Sequence, residues 1–160
     1  MHDSVMKYVG DKVFQYALNV GMVLDVGSMS YTGGCRKYFS GNYVGIDRRG
    51  DAKCGVDLEM DAHHLTFNDQ IFDVVLCTEM IEHDEKFWLT MTEIGRVLKP
   101  GGYLILTGRG NGYEKHEQPS DFYRFMPDSF KALFELAGCR PLEIMEDPQF
   151  SGVFGIGVKQ

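Results

Sequence analysis

Asp25, in VLDVGS, and Asp47, in YVGID, are carboxylates set at the ends of two short apolar runs, with a glycine turn between them. In open α/β sheets ligands bind outside the carboxyl ends of the strands, and an acid at the end of the second strand can accept two hydrogen bonds from ribose hydroxyls. Gly27, directly after the first run, lets the chain turn sharply and leaves bare backbone for a ligand to approach. Two histidines are placed to exchange a proton near neutral pH: His83, in EMIEH, and His116, in a segment rich in aromatic side chains (Tyr113, Phe122, Tyr123, Phe125). That segment also holds a charged pair, Asp121 and Arg124, which either helps it close over a small polar or ring-shaped acceptor or forms a structural ion pair. Cys77 reads as core packing rather than a nucleophile, because free cysteine behaves as a small buried hydrophobe. His63 and His64 are adjacent, whereas useful helical ligand pairs lie three or four apart, so no metal site is expected there.

The elements that hold these residues follow from hydrophobic period. Met22 to Val26 and Asn42 to Ile46 read as parallel strands buried on both faces, with Asp47 just past the second. Between them, Ser28 to Gly34 leads into a short helical stretch, Cys35 to Phe39, whose exposed amides could meet an anion. Val74 to Cys77 is a further strand, followed by a helix over Lys86 to Leu98 and a strand over Tyr103 to Thr107. Pro100-Gly101-Gly102 supplies the turn between the last two. Val5, Tyr8, Val9, Val13 and Tyr16 put a helix over Ser4 to Leu18 that packs on the sheet or covers a ligand. A last helix spans Pro127 to Ala137, with Gly138 past its end, and a final strand pair comprises Arg140 to Ile144 and Phe154 to Lys159. The glycine-rich GRGNG, Gly108 to Gly112, reads as a mobile loop.

Alternation of strand and helix defines an α/β chain, and 160 residues at 44% hydrophobic suffice for one core, so residues 1–160 are expected to form a single minimal domain. A net charge of −7 disfavours a nucleic acid or other large polyanion as partner. Arg48 and Arg49 could touch one phosphate but more simply form a solvated turn. Cys35, Cys54, Cys77 and Cys139 show neither C-x-x-C nor zinc spacing, which fits reduced thiols in the cytoplasm. No apolar run approaches the roughly twenty residues that cross a bilayer, and no signal peptide opens the chain, so a soluble protein is expected.

The order VLDVGS, YVGID, DAHHLTF, FDVVLCTEMIEH and RVLKPGGYLIL resembles the class I methyltransferases that use S-adenosylmethionine, in particular the branch called methyltransferase type 11. The resemblance covers about Met22 to Thr107, and a looser likeness continues through HEQPSDFYRFMPDSF to about Phe130. It implies a Rossmann-like, doubly wound sheet of seven strands, mostly parallel with an antiparallel C-terminal strand, and S-adenosylmethionine as cofactor. It assigns Asp25 and the Gly27-Ser28 backbone to the methionine end and Asp47 to the ribose hydroxyls, with Arg48 beside it. Asp61 would accept a hydrogen bond from the adenine amino group, and the Ala62 N–H would meet the ring nitrogen. Cys77, Thr78 and Glu79 would line the floor beneath the methyl group, with Glu82 and His83 at its rim. The first glycine motif departs from the usual D-x-G-x-G-x-G, reading DVGSMSYTGG. A subset of the family has such a Gly-Ser form with a later glycine and arginine, here Gly33 and Arg36. A subset also has H-x-x-P-x-D-x-x-R-[FY], matched by His116, Pro119, Asp121, Arg124 and Phe125.

Bland roles compete with each assignment: Asp25 and Asp47 could cap turns, Asp61 could start the turn into HHL, and Glu82-His83 could only shape its loop. A nicotinamide-binding Rossmann domain is poorly supported, since G-x-G-x-x-G needs glycine where the chain has Met29 and Thr32. The expected activity is methyl transfer to oxygen or nitrogen of a small molecule such as a sugar or secondary metabolite, with His83 or His116 as base where the acceptor must lose a proton. The alternative is a non-catalytic module that binds the cofactor or its demethylated product and acts through a partner. With so short a chain, the acceptor is small or its pocket is completed by a second subunit of a homodimer.

Overall fold

Met22–Val26 (β1) and Phe72–Thr78 (β4) carry apolar residues on both faces of the pleat, broken only by Asp25, Asp73 and Thr78, and all their residues but Met22 and Asp73 are buried. Such runs demand helices above and below a sheet. The computed structural model describes residues 2–31, 34–50, 52–117 and 119–160. Its other strands are Asn42–Asp47 (β2), Leu58–Glu59 (β3), Leu98–Arg109 (β5), Cys139–Glu146 (β6) and Gly152–Lys159 (β7). They form one sheet in the order β3-β2-β1-β4-β5-β7-β6. Strands β1 to β5 pair in parallel, and β7 runs antiparallel to both its neighbours. The seven-stranded, mostly parallel, Rossmann-like α/β sheet expected from the sequence is therefore present, with β7 as its antiparallel strand.

Asp3–Gln15 (α1) lays Val5, Tyr8, Val9 and Val13 against Val23, Val74, Leu76, Ile105, Phe154 and Ile156 on one face. Of the two roles open to this helix, it takes packing on the sheet. The opposite face carries Phe87–Val97 (α2) and Pro127–Leu136 (α3). Their Met91, Ile94, Phe130, Leu133 and Phe134 cover Leu24, Val26, Val75, Cys77, Leu104 and Leu106. Helices on both faces make the sheet doubly wound.

Four segments differ from their sequence reading. The stretch expected as a helix over Cys35 to Phe39 is a single 3₁₀ turn, Cys35–Tyr38. Asp47 is the last residue of β2 rather than beyond it, because its backbone pairs with Glu59 of β3, a two-residue exposed strand too short and polar to show a period. Residues 99–102 lie within β5 as a bulge: Phe72 pairs with Leu98 and Val74 with Tyr103, so the excess chain, with Gly101 at φ +79°, is accommodated opposite Asp73. Gly108 and Arg109, expected in a mobile loop, instead close β5 against Val153 and Gly152. Gly110 then bridges to Phe125 and donates its N–H to Ser151 O. The physical reason is Arg109, which is wholly buried among carboxylates and fastens this segment to the core.

Candidate active site

The strand order reverses between β1 and β4, where β2 lies on one side and β5 on the other. That is the switch point at which doubly wound sheets open a ligand crevice beyond their carboxyl ends. Val26 stands in register with Ile46 and Cys77, so the tips of β2, β1 and β4 share one edge and bring Asp47, the Gly27 turn and Thr78–Glu79 together.

Gly27 has φ +78°, a conformation in which any other residue is strained. The space left by its missing Cβ is filled by the Met80 side chain, whose Cβ and Cγ would clash with that atom. Gly27 and Ser28 both donate their N–H groups to Ile46 O at 2.9 Å, so this turn offers a ligand shape rather than free donors. Ser28 Oγ donates to Gly55 O at 3.2 Å. Asp25 is buried on the α1 side, where Tyr43 donates its hydroxyl to Oδ2 at 2.5 Å. Its Oδ1 has no hydrogen-bond partner among the described residues, and burial pushes the carboxyl up to about 6 against the opposing Tyr43 bond. Gly33 lies outside the described residues. Arg36 lies across the Tyr43 ring and is paired with Asp57.

Asp47 is only lightly engaged. It accepts long bonds from Met29 N–H at 3.4 Å and Arg49 N–H at 3.3 Å, leaving lone pairs for two hydroxyl donors. Arg48 is exposed beside it. Asp61 starts the turn into HHL by accepting the His63 N–H at 3.0 Å, yet its side chain is half exposed, and Ala62 packs partly on the core. His63 donates Nε2–H to Asp84 at 2.7 Å, the structural role its position favoured. Cys77 is fully buried and burial holds its thiol well above its ordinary value, so it packs and does not attack.

Past β4 the chain turns through Glu79 at φ +56°, a left-handed conformation that costs a residue with a side chain roughly 1–2 kcal/mol. It is held there by bonds from its N–H to Thr107 O at 3.2 Å and Oγ1 at 3.1 Å, and from the Thr107 hydroxyl to Oε1 at 3.0 Å. Its other oxygen pairs with Arg109. Arg109 is 0% exposed, with Glu82 Oε1 at 4.0 Å, Asp147 Oδ2 at 3.8 Å and the Tyr113 ring centroid at 4.7 Å. Glu82, also 0% exposed, has its carboxyl pushed up to about 7 by burial. The amides of Glu82 and Arg109 stand close to this carboxylate without meeting hydrogen-bond geometry. Arg109, Asp147 and Tyr43 were not singled out from the sequence. An arginine closing the apolar run LILTGR was the one available signal, since such a residue needs buried partners.

His83 and His116 do come together, with ring centroids 4.7 Å apart. His83 donates Nδ1–H to Ser120 O at 2.5 Å, which leaves the lone pair on Nε2. His116 is held through its backbone N–H by Asp121 at 2.8 Å. Asp121 forms a two-pronged pair with Arg124, both bonds 2.6 Å, which keeps its carboxyl far below the usual range; Arg124 also donates to Tyr113 O and Glu114 O. The Asp121–Arg124 pair therefore holds the loop that carries His116. A pocket of about 430 Å³ lined by Tyr16, Val20, Lys99 and Gly102 opens at the opposite, amino-terminal edge of the sheet and takes no part in this site.

Residues 24–106, just over half of the chain, match the methyltransferase domain family. The chain belongs to that family. This methyltransferase domain is 33% identical over 106 residues to a fatty-acid O-methyltransferase of Mycolicibacterium smegmatis, covering 58% of the chain and 38% of that protein. It is 40% identical over 76 residues to phthiotriol/phenolphthiotriol dimycocerosates methyltransferase 1 of Mycobacterium ulcerans, covering 41% of the chain and 28% of that protein. The matched stretches thus span well under half of both relatives. In fold, the methyltransferase domain is similar to the Burkholderia thailandensis 1,6-didemethyltoxoflavin-N1-methyltransferase, solved with 1,6-didemethyltoxoflavin and S-adenosylhomocysteine. The TM-score is 0.78 at 16% identity, covering 98% of this chain and 78% of that one. Among the described residues no helix is long and apolar enough to cross a membrane.

Proposed function

We propose that the chain is an S-adenosylmethionine-dependent methyltransferase acting on an oxygen or nitrogen of a small-molecule acceptor. The observation that carries this reading is Asp47: a carboxylate at the switch-point edge, beside a left-handed glycine turn, with long internal bonds and spare lone pairs. Membership of the methyltransferase family supports it, as do the names of the relatives, which include an O-methyltransferase and an N-methyltransferase.

Asp47 would hold the ribose diol, with the exposed Arg48 at its margin. Asp61, through its free oxygen, and the Ala62 N–H would meet the adenine edge. Asp25, with one unpartnered oxygen, would receive the ammonium of the methionine end, and Gly27-Ser28 would shape the wall there. Cys77, Thr78 and Glu79 would form the floor. When bound, S-adenosylmethionine supplies a sulfonium methyl group for in-line displacement. The chain's own share is to orient acceptor and cofactor, exclude water and take up the acceptor's proton where one must leave. His83 Nε2 and the His116 ring, at the end of the crevice next to Glu82, are the groups for that last task.

Calorimetric titration with S-adenosylmethionine tests the reading. Asp47→Ala should weaken binding by roughly 1–3 kcal/mol, the net worth of two ordinary hydrogen bonds at a partly exposed site. Unchanged affinity in that variant removes the ribose assignment. Methylation of any member of a panel of fatty acids, phenols, sugars and aromatic nitrogen heterocycles supports an enzyme. Tight binding with no methylated acceptor instead favours a non-catalytic module acting through a partner.

A further inference from the structure

We propose that Glu82, His83 and His116 form a binding site for one divalent transition-metal cation of the zinc or ferrous class. One donor atom from each lies within 4.8 Å of the others. Ligands of a tetrahedral zinc at about 2.0–2.2 Å stand roughly 3.3–3.6 Å apart, so a shift of about 1 Å closes the site. Two imidazoles and one carboxylate are the donor set of catalytic zinc and of open ferrous sites, both of which leave positions for an exogenous ligand.

Three features of the cluster point to a cation. His83 is already oriented as metal-bound imidazoles are: its Nδ1–H is tied to a backbone carbonyl, Ser120 O, and its Nε2 lone pair is left to coordinate. Glu82 is wholly buried, and neither of its carboxylate oxygens meets hydrogen-bond geometry with a described residue; His116 Nδ1 stands 3.4 Å from Asp121 Oδ2, also short of that geometry. The local charge is also unbalanced. Glu79, Glu82, Asp121 and Asp147 present four carboxylates to two guanidiniums, Arg109 and Arg124, and Arg109 gives its close contact to Glu79 rather than Glu82. An excess of buried negative charge is costly unless neutralised, and a divalent cation supplies the missing charge. His116, about one third exposed, gives the ion a way in.

The proposal rests on the reading of this cluster as the acceptor end of the crevice and replaces its base role: with the ion bound, the His83 and His116 lone pairs are coordinated, and the acceptor's proton would be made acidic by an ion that polarises its oxygen rather than taken by either imidazole.

The test uses the full chain, stripped with a chelator and then titrated with Zn²⁺ by calorimetry and with Co²⁺ by visible absorption. One ion per chain is expected, with ligand-field bands typical of a low-coordinate nitrogen and oxygen site. His116→Ala and Glu82→Gln should each weaken Zn²⁺ binding at least tenfold while still binding S-adenosylhomocysteine, which shows that they are folded. No saturable binding, or stoichiometric binding unchanged in both variants, overturns the proposal; the latter would place the ion on His2, His64 or a cysteine. Failure of the wild-type chain to bind S-adenosylhomocysteine would defeat the cofactor reading and leave the metal result standing.

Discussion

At the scale of single residues, burial sets the behaviour of the two most perturbed acids. Asp25 is raised to about 6, so the folded chain holds this proton more tightly than the unfolded chain does. Stability from this group is therefore full below its unfolded value of about 4 and is lost as pH rises through about 6, at ~1.4 kcal/mol for each pH unit crossed. Asp25→Asn keeps an acceptor for Tyr43 and removes the titration. In urea unfolding, the variant should gain on the wild type by roughly 2–3 kcal/mol between about pH 4 and about pH 7. An equal gap at both pH values would show that Asp25 is not held as a buried acid. Arg109 works in the other direction. It is the cation shared by Glu79, Glu82 and Asp147, and Arg109→Met strands those buried carboxylates, so a loss of about 3–5 kcal/mol is expected by the same measurement. A loss below about 1 kcal/mol would mean that water or protons already compensate them.

Elements were legible where their period was long and their faces distinct. β1, β4 and the three helices were located to within a few residues, because buried strands read as apolar runs and α2 and α3 keep an apolar stripe. β3 was not located, since two exposed residues carry no pattern, and the β5 bulge was hidden behind a proline-glycine signature that also marks ordinary turns. Contacts between elements were equally invisible. Gly95 sits inside α2, where alanine would improve helix propensity by about 1 kcal/mol. In the fold, however, a Cβ there would lie 2.5 Å from Ala137 O, a backbone atom that cannot swing aside. Overpacking of about 1–3 kcal/mol should outweigh the gain, so Gly95→Ala should lower the melting temperature. A rise would show that α2 and α3 separate easily.

Considered whole, the molecule is a sheet whose two faces are covered while its carboxyl edge is left to loops. A ligand that joins Asp47, the Gly27 turn and Glu79 would tie β2, β1 and β4 together and stabilise the folded state by mass action. S-adenosylhomocysteine at a hundredfold excess over its Kd should add about 2.7 kcal/mol, or roughly 5–10 °C in melting temperature for a chain of this size. Scanning calorimetry that finds no shift would count against the crevice as the cofactor site.

The amino-acid order by itself determined the α/β alternation, the two acids at strand tips and the histidines beyond the fourth and fifth strands, because those features depend on local period and on residue type. Tertiary structure alone decided that Gly27 makes room for Met80, that Asp121 and Arg124 brace a loop, and that Arg109 is the buried hub of four segments. It also decided that Glu82, His83 and His116 converge. Each of these depends on contacts between residues distant in the chain, and pairing of that kind leaves no periodic trace for a single sequence to show.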